Sequence, residues 1–130
     1  MATELTSQNM DYVGRDVVLM SFRQAYASGT GAINHTYTPD IPVAIRQITL
    51  HLNAAPTTSE NFIITVDSGR GAAYDTVVYS VNLSTASTTD VILTEQLSDL
   101  PILIKNDVLL ITFTNTDGNT WGLTVIAEAL

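Results

Sequence analysis

Residues 44–83 read AIRQITLHLNAAPTTSENFIITVDSGRGAAYDTVVYSVNL, three strand-like runs cut by two turns. In the first run Ile48, Leu50 and Leu52 share one face, while Gln47, Thr49 and His51 share the other. That period of two belongs to a strand with one buried side. Phe62, Ile64 and Val66 make the inward row of the second run. Val77, Tyr79, Val81 and Leu83 make that of the third, against Val78, Ser80 and Asn82. The breaks at Asn53–Ser59 and Asp67–Gly71 are rich in Pro, Gly, Ser and Asp, the residues that turn a chain.

The same grammar extends outward. Asp16–Ala27 (DVVLMSFRQAYA) is strand-like, although Leu19, Phe22, Arg23 and Tyr26 also suit helical spacing. Ser28–Gly31 ends it, Ile33–Thr38 alternates, and Pro39-Asp40 turns the chain. Val91–Thr94 is a short strand after a Ser/Thr loop at Ser84–Thr89. Leu97–Ile104 contains Pro101, which restricts it to an edge strand or an extended crossing. Leu109, Ile111 and Phe113 face inward in the next run, and Asn115–Asn119 is a hairpin turn. Trp121, Leu123, Val125 and Ala127 close the pattern. The expectation is an all-β fold: a two-sheet antiparallel β-sandwich, jelly-roll-like, of about eight strands. Residues 16–130 form one domain of ordinary size, preceded by a polar N-terminal arm at residues 1–15.

Composition narrows the function classes. Thirteen acidic against five basic residues leave a net charge of −8, a surface that phosphate backbones repel, so no nucleic-acid partner is expected. There is no cysteine, hence no disulfide framework or thiolate metal site. The N-terminus lacks a basic segment followed by an apolar one, so no signal peptide is read. No apolar run approaches the roughly 20 residues of a membrane span, so no membrane partner is expected.

Reactive constellations are sparse. His35 and His51 are the two imidazoles, and no GxSxG or other nucleophile pattern accompanies them, which leaves both as surface strand residues. Asp67 and Asp75 flank a glycine loop and could meet as a hydrolytic carboxylate pair. Tyr74, Tyr79 and Trp121 could supply a sugar platform beside them, although the period of Trp121 with Leu123 and Val125 favours the core. Asn115–Asn119 offers oxygen ligands around a glycine but lacks the calcium-loop spacing, and a hairpin explains its Asp-Gly pair. Gly69-Arg70-Gly71 has no helix after it to hold a phosphate. Asn34-His35-Thr36 and Asn82-Leu83-Ser84 match the glycosylation pattern by chance. The expectation is therefore no enzyme, no catalytic residue, no cofactor and no metal. Tyr12, Arg15, Tyr26 and Tyr37 are the candidate partner contacts, since tyrosine and arginine are favoured at interfaces.

The AAPTTSEN run before a strand, the DSGRGAAYDT turn and the NTDGNTWGL hairpin give residues 33–128 a likeness. The chain resembles the small β-sandwich virion proteins of tailed bacteriophages, found among head decoration (cement) and neck or tail accessory components. The resemblance implies a structural protein on the capsid exterior, made in the host cytoplasm, with the major capsid protein as partner and no catalytic residues. Closed cyclic symmetry is the common way such units associate, and a homotrimer is expected. A carbohydrate-binding or structural module of the tail or neck is the alternative.

Overall fold

The computed structural model describes residues 22–94 and 100–130. The expected arm, with Tyr12 and Arg15, lies outside the described residues, as does the start of the first strand-like run. Among the described residues there are nine strands: β1 (Phe22–Gly29), β2 (Ile33–Tyr37), β3 (Val43–Leu52), β4 (Asn61–Asp67), β5 (Thr76–Asn82), β6 (Asp90–Thr94), β7 (Ile102–Leu103), β8 (Val108–Phe113) and β9 (Trp121–Ala129). They form two antiparallel sheets. A five-stranded sheet has the order β1-β9-β3-β6, with β7 also pairing β3, and a four-stranded sheet has the order β2-β8-β4-β5.

The wiring is a jelly roll. β1 pairs β9, β2 pairs β8, β3 pairs β6 and β7, and β4 pairs β5, so the chain is one long antiparallel hairpin rolled into two layers. The connections β3–β4 and β5–β6 cross between the sheets. The helical alternative for the first run is excluded from Phe22 onward, where eight consecutive residues of β1 pair with β9.

The core lies between the layers. Ile48, Leu50 and Leu52 of β3 and Leu123 and Val125 of β9 meet Phe62 and Ile64 of β4 and Leu109, Ile111 and Phe113 of β8. The Phe62 and Tyr79 rings pack edge to face, with centroids 6.4 Å apart. Burying each such aliphatic side chain contributes about 1.5–3 kcal/mol, which is why strict alternation locks the register.

Three local expectations need correction. Val77 is not in the core: β5 carries a bulge opposite Ile64/Thr65, so Tyr79 and Val77 pair while Val78 is the extra residue, and Val77 is left 58% exposed. The Ser84–Thr89 loop is preceded by one helical turn, α1 (Leu83–Ala86), which runs into it. It forms because Asn82 caps it, accepting from the Ser84 and Thr85 amides, and Ser87 ends it in the left-handed region at φ 50°. By contrast, the described part of Leu97–Ile104 agrees with an edge strand: β7 pairs β3 alone, just after Pro101. His35 is not a surface residue, because it belongs to the inward row of β2 with Ile33 and Tyr37, and its Nε2 is buried with no hydrogen-bond partner among the described residues.

Candidate interaction surface

The polar residues that suggested chemistry are engaged in holding loops. At one end of the sandwich the Asn115 side chain sits buried in the β8–β9 turn with φ 54°. Its amide donates to the carbonyls of Thr30 (3.1 Å), Gly31 (3.0 Å) and Asn119 (2.9 Å), and its Oδ1 accepts from the Asn119 amide. Asp117 of the same turn reaches the β3–β4 loop, accepting from the Thr57 amide at 2.6 Å, the Thr58 amide and both threonine hydroxyls. Glu60 answers in the opposite direction, accepting from the Thr116 amide and hydroxyl. In the calcium-like turn the Asp117 oxygens thus face threonine donors and the Asn115 Oδ1 faces the Asn119 amide. Among the described residues no three His, Cys, Asp or Glu side chains gather to hold a metal ion.

These hydrogen bonds favour the ionised form, and the Thr58 hydroxyl and Thr57 amide are the main reasons the Asp117 carboxyl titrates near pH 2, below its ordinary value. A depressed folded-state pKa gives stability that is present above about pH 4 and lost as pH falls towards 2. Asp117→Asn is therefore expected to melt earlier than the wild type at pH 5–7. The difference in Tm should close between about pH 4 and pH 2, as read by calorimetry across that range.

At the other end Asp75 accepts from the Ser68 amide at 2.8 Å and closes the β4–β5 loop on itself. Asp67 is exposed at the end of β4. The pair is therefore split between a turn clamp and a solvated side chain. Arg70 lies over the Tyr74 ring at 4.8 Å from its centroid. Trp121 is buried, its indole N–H donating to the Gly31 carbonyl at 2.9 Å. A Cβ on Gly29 would stand 3.2 Å from the same ring. Tyr79 packs against the core, so of Tyr74, Tyr79 and Trp121 only Tyr74 is exposed, and the three form no exposed row. His51 is paired with Asp90 across β3 and β6, Nδ1 to Oδ1 at 2.6 Å, on the outer face of the five-stranded sheet. The Asp90 carboxyl is lowered chiefly by this contact and then by the Thr89 hydroxyl. The pairing was missed in the sequence because its partners are 39 residues apart.

The four candidate contacts separate. Tyr26 points outward from β1 and is 78% exposed. Tyr37 packs against the core, and burial raises its phenol above the usual value, with Arg23 opposing and Asp40 adding to the shift. Tyr12 and Arg15 are outside the described residues.

Around Tyr26 a surface emerges. On the same outer face stand Phe22 of β1, 44% exposed, Ile92 of β6, 55% exposed, and the partly buried Ile126 of β9, with Gln24, Gln47, Thr49 and Thr124 between them. An open groove of about 530 Å³ runs between Phe22, Gln24, Arg46, Gln47 and Ile126. Arg46, the extra residue of a bulge in β3, bonds Glu128 at 2.7 Å at the margin. Exposed apolar groups rimmed by polar ones mark contact surfaces. Among the described residues no helix is long and apolar enough to cross a membrane.

Fold and surface together define a jelly-roll β-sandwich whose loops are clamped by carboxylates and whose five-stranded face is exposed. No family model matches the chain, and no curated protein matches it. Among solved structures it is similar to the Drosophila NLP core, described in terms of pentamer formation and histone binding, at a TM-score of 0.46 and 14% identity over 85% of this chain and 98% of that one. It is also similar to the capsid of Helicobacter pylori bacteriophage KHP30, at a TM-score of 0.46 and 11% identity over 82% and 92%. A third likeness is the CBM32 of AlyQ in complex with 4,5-unsaturated mannuronic acid, at 0.34 and 19% over 81% and 75%.

Proposed function

We propose that this chain is a non-enzymatic structural protein of a tailed-phage virion, one that docks on the outside of the capsid, stabilises it, and associates with copies of itself. The observation that supports the reading is the exposure of Phe22, Tyr26 and Ile92 on the outer face of the five-stranded sheet, on a sandwich whose loops are tightly clamped. A protein that must hold a shell needs a rigid body and a desolvatable contact, and the carboxylate clamps and this face provide them. The likeness of the loops to phage virion accessory proteins supplies the partner: the major capsid protein.

The test is binding of the purified protein to undecorated phage shells, with shell melting as the readout. The wild type is expected to bind and to raise the melting temperature of the shells. Tyr26→Asp, at an exposed position that leaves the fold intact, is expected to weaken binding at least about tenfold, the effect of losing an aromatic anchor. Shells that neither bind the protein nor gain stability would overturn the reading. A response on a glycan array that Tyr26→Asp abolishes, with no shell binding, would transfer it to a carbohydrate-binding tail or neck module.

A further inference from the structure

The β8–β9 turn joins two structural requirements in one dipeptide. Gly118 has φ 69°, in the left-handed region where glycine stands without strain, and a Cβ there would meet nothing within 4 Å. Asp117 before it is needed for the clamp on the β3–β4 loop. Of the seven glycines in the chain this one alone follows an aspartate, and none follows an asparagine. An aspartyl–glycine bond is a chemical weak point, because glycine has no side chain to shield its own nitrogen from the neighbouring carboxyl carbon. Both residues are exposed, so water reaches the bond.

The reaction open to this bond is a rearrangement. The Gly118 nitrogen loses its proton and bonds Cγ of Asp117, while the bond from Cγ to a protonated carboxyl oxygen breaks and that oxygen leaves as water. Water then opens the cyclic imide at one carbonyl to restore aspartate, or at the other to give isoaspartate. No co-reactant is consumed and the final mass is unchanged. The fold opposes each step. The Asp117 oxygens accept from the amides and hydroxyls of Thr57 and Thr58, so the carboxyl is fixed and kept from protonation. The Gly118 amide donates to the Asn115 carbonyl at 3.0 Å, which engages the proton that must leave. The threonine loop is itself tied down: Asn53 and Thr120 are bonded in both directions, and the Asn119 side chain donates to the Ala54 carbonyl.

We propose that Asp117–Gly118 is a site of spontaneous aspartyl isomerisation, and that the β3–β4 loop gates it through Thr57 and Thr58. With the loop seated the bond is dormant; with the loop lifted it reacts. Isoaspartate adds a methylene to the main chain of the turn and removes the side-chain carboxylate that the threonines address, so the loop does not reseat as before. The inference rests on the turn alone and not on the capsid reading. Its size follows from the carboxyl, which titrates at about 2 when clamped. Against about 3.9 for a free aspartate, it is protonated roughly a hundredfold less often at about pH 5.

The experiment incubates the full chain at about pH 5, folded in buffer and unfolded in guanidinium chloride. Trypsin cleavage after Lys105 releases residues 106–130, in which isoaspartate is counted by enzymatic methylation and placed by fragmentation. The unfolded chain should accumulate isoaspartate first at residue 117, and the folded wild type at least about tenfold more slowly. The double variant Thr57→Val with Thr58→Val, its folding checked by melting, should convert several-fold faster than the folded wild type. Should it not fold, Thr57→Val alone, at an exposed position, takes its place and should also convert faster. Equal rates in the folded and unfolded chain, or a folded variant no faster than the wild type, would overturn the gate. Isoaspartate arising first at another aspartate of the unfolded chain would overturn the site.

Discussion

Replacing Phe62 with alanine is expected to destabilise the fold by about 4 kcal/mol, within the range for emptying a large aromatic from a core. Phe62 is fully buried in β4, which lies between β8 and β5 in the four-stranded sheet. Its ring meets Tyr79 edge-on and packs in the cluster that both sheets share. Truncation loses the transfer energy of the ring and opens a cavity whose walls are held by paired strands on either side, so collapse into it is restricted. In a chain of this length the melting temperature should fall by roughly 15 °C. Trp121, the single tryptophan, is buried in the same cluster and reports urea unfolding by fluorescence. A control comes from Val77→Ala. Alternation in the sequence places Val77 and Phe62 in the same class, yet Val77 is exposed on the far side of a bulge, so its truncation should change stability by less than about 0.5 kcal/mol. Equal costs for the two would mean that β5 runs in the unbulged register.

That contrast shows what the sequence could reveal. Period two is a local property, so β3, β4, β8 and β9 were legible wherever one face is buried and the chain runs without interruption. A bulge is not local: the extra residue Val78 in TVVYSVN looks like any other valine, and only the pairing of Tyr79 with Ile64 and of Val77 with Thr65 around it displaces Val77 outward. Arg46 in β3 is the same case. His35 was misplaced because a single polar residue between Ile33 and Tyr37 reads as tolerable on either face. The clamps were least visible. Asp117 and Thr57 are 60 residues apart, and Gly69 and Asp107 are 38, so their contacts exist only once the long hairpin has rolled up. Tyr26 was picked out by residue type together with Tyr37, and its exposure follows from β1 turning Ala25 and Ala27 inward, which the ambiguous spacing of that run did not decide. Its apolar neighbours Ile92 and Ile126 come from strands that the sequence could not order.

The second large effect is expected at Asp107, a buried carboxylate in the β7–β8 turn. One oxygen accepts from the Gly69 amide at 2.9 Å and the other from the Ile104 amide at 3.0 Å. One side chain therefore closes its own turn and ties it to the β4–β5 loop, the tip of the rolled hairpin. Asp107→Ala leaves two part-buried amides without their charged acceptor, a place that water can partly fill, and the expected loss is about 1–2 kcal/mol. Rearrangement offers little relief, because Gly69 already packs so closely that a Cβ there would stand 2.7 Å from the Asn106 side chain and 2.8 Å from its carbonyl. Asp107→Asn should behave more like alanine than like aspartate, since one of its two positions becomes an N–H aimed at an N–H. The Ile104 and Gly69 amides, in that order, hold the Asp107 carboxyl below its ordinary pKa. Its stabilisation is therefore complete above the unfolded-state value of about 4 and is lost as pH falls through the lower folded value. The gap in stability between wild type and Asp107→Ala should be constant from pH 7 to about pH 5 and narrow below about pH 4. Hydrogen exchange at pH 6–7 should show the Gly69 and Ile104 amides losing protection in the variant, while Leu50 and Leu123, in the β3–β9 ladder of the opposite sheet, fall only by the global loss. Unchanged protection at Gly69 would mean that the two loops are held together by something other than this carboxylate.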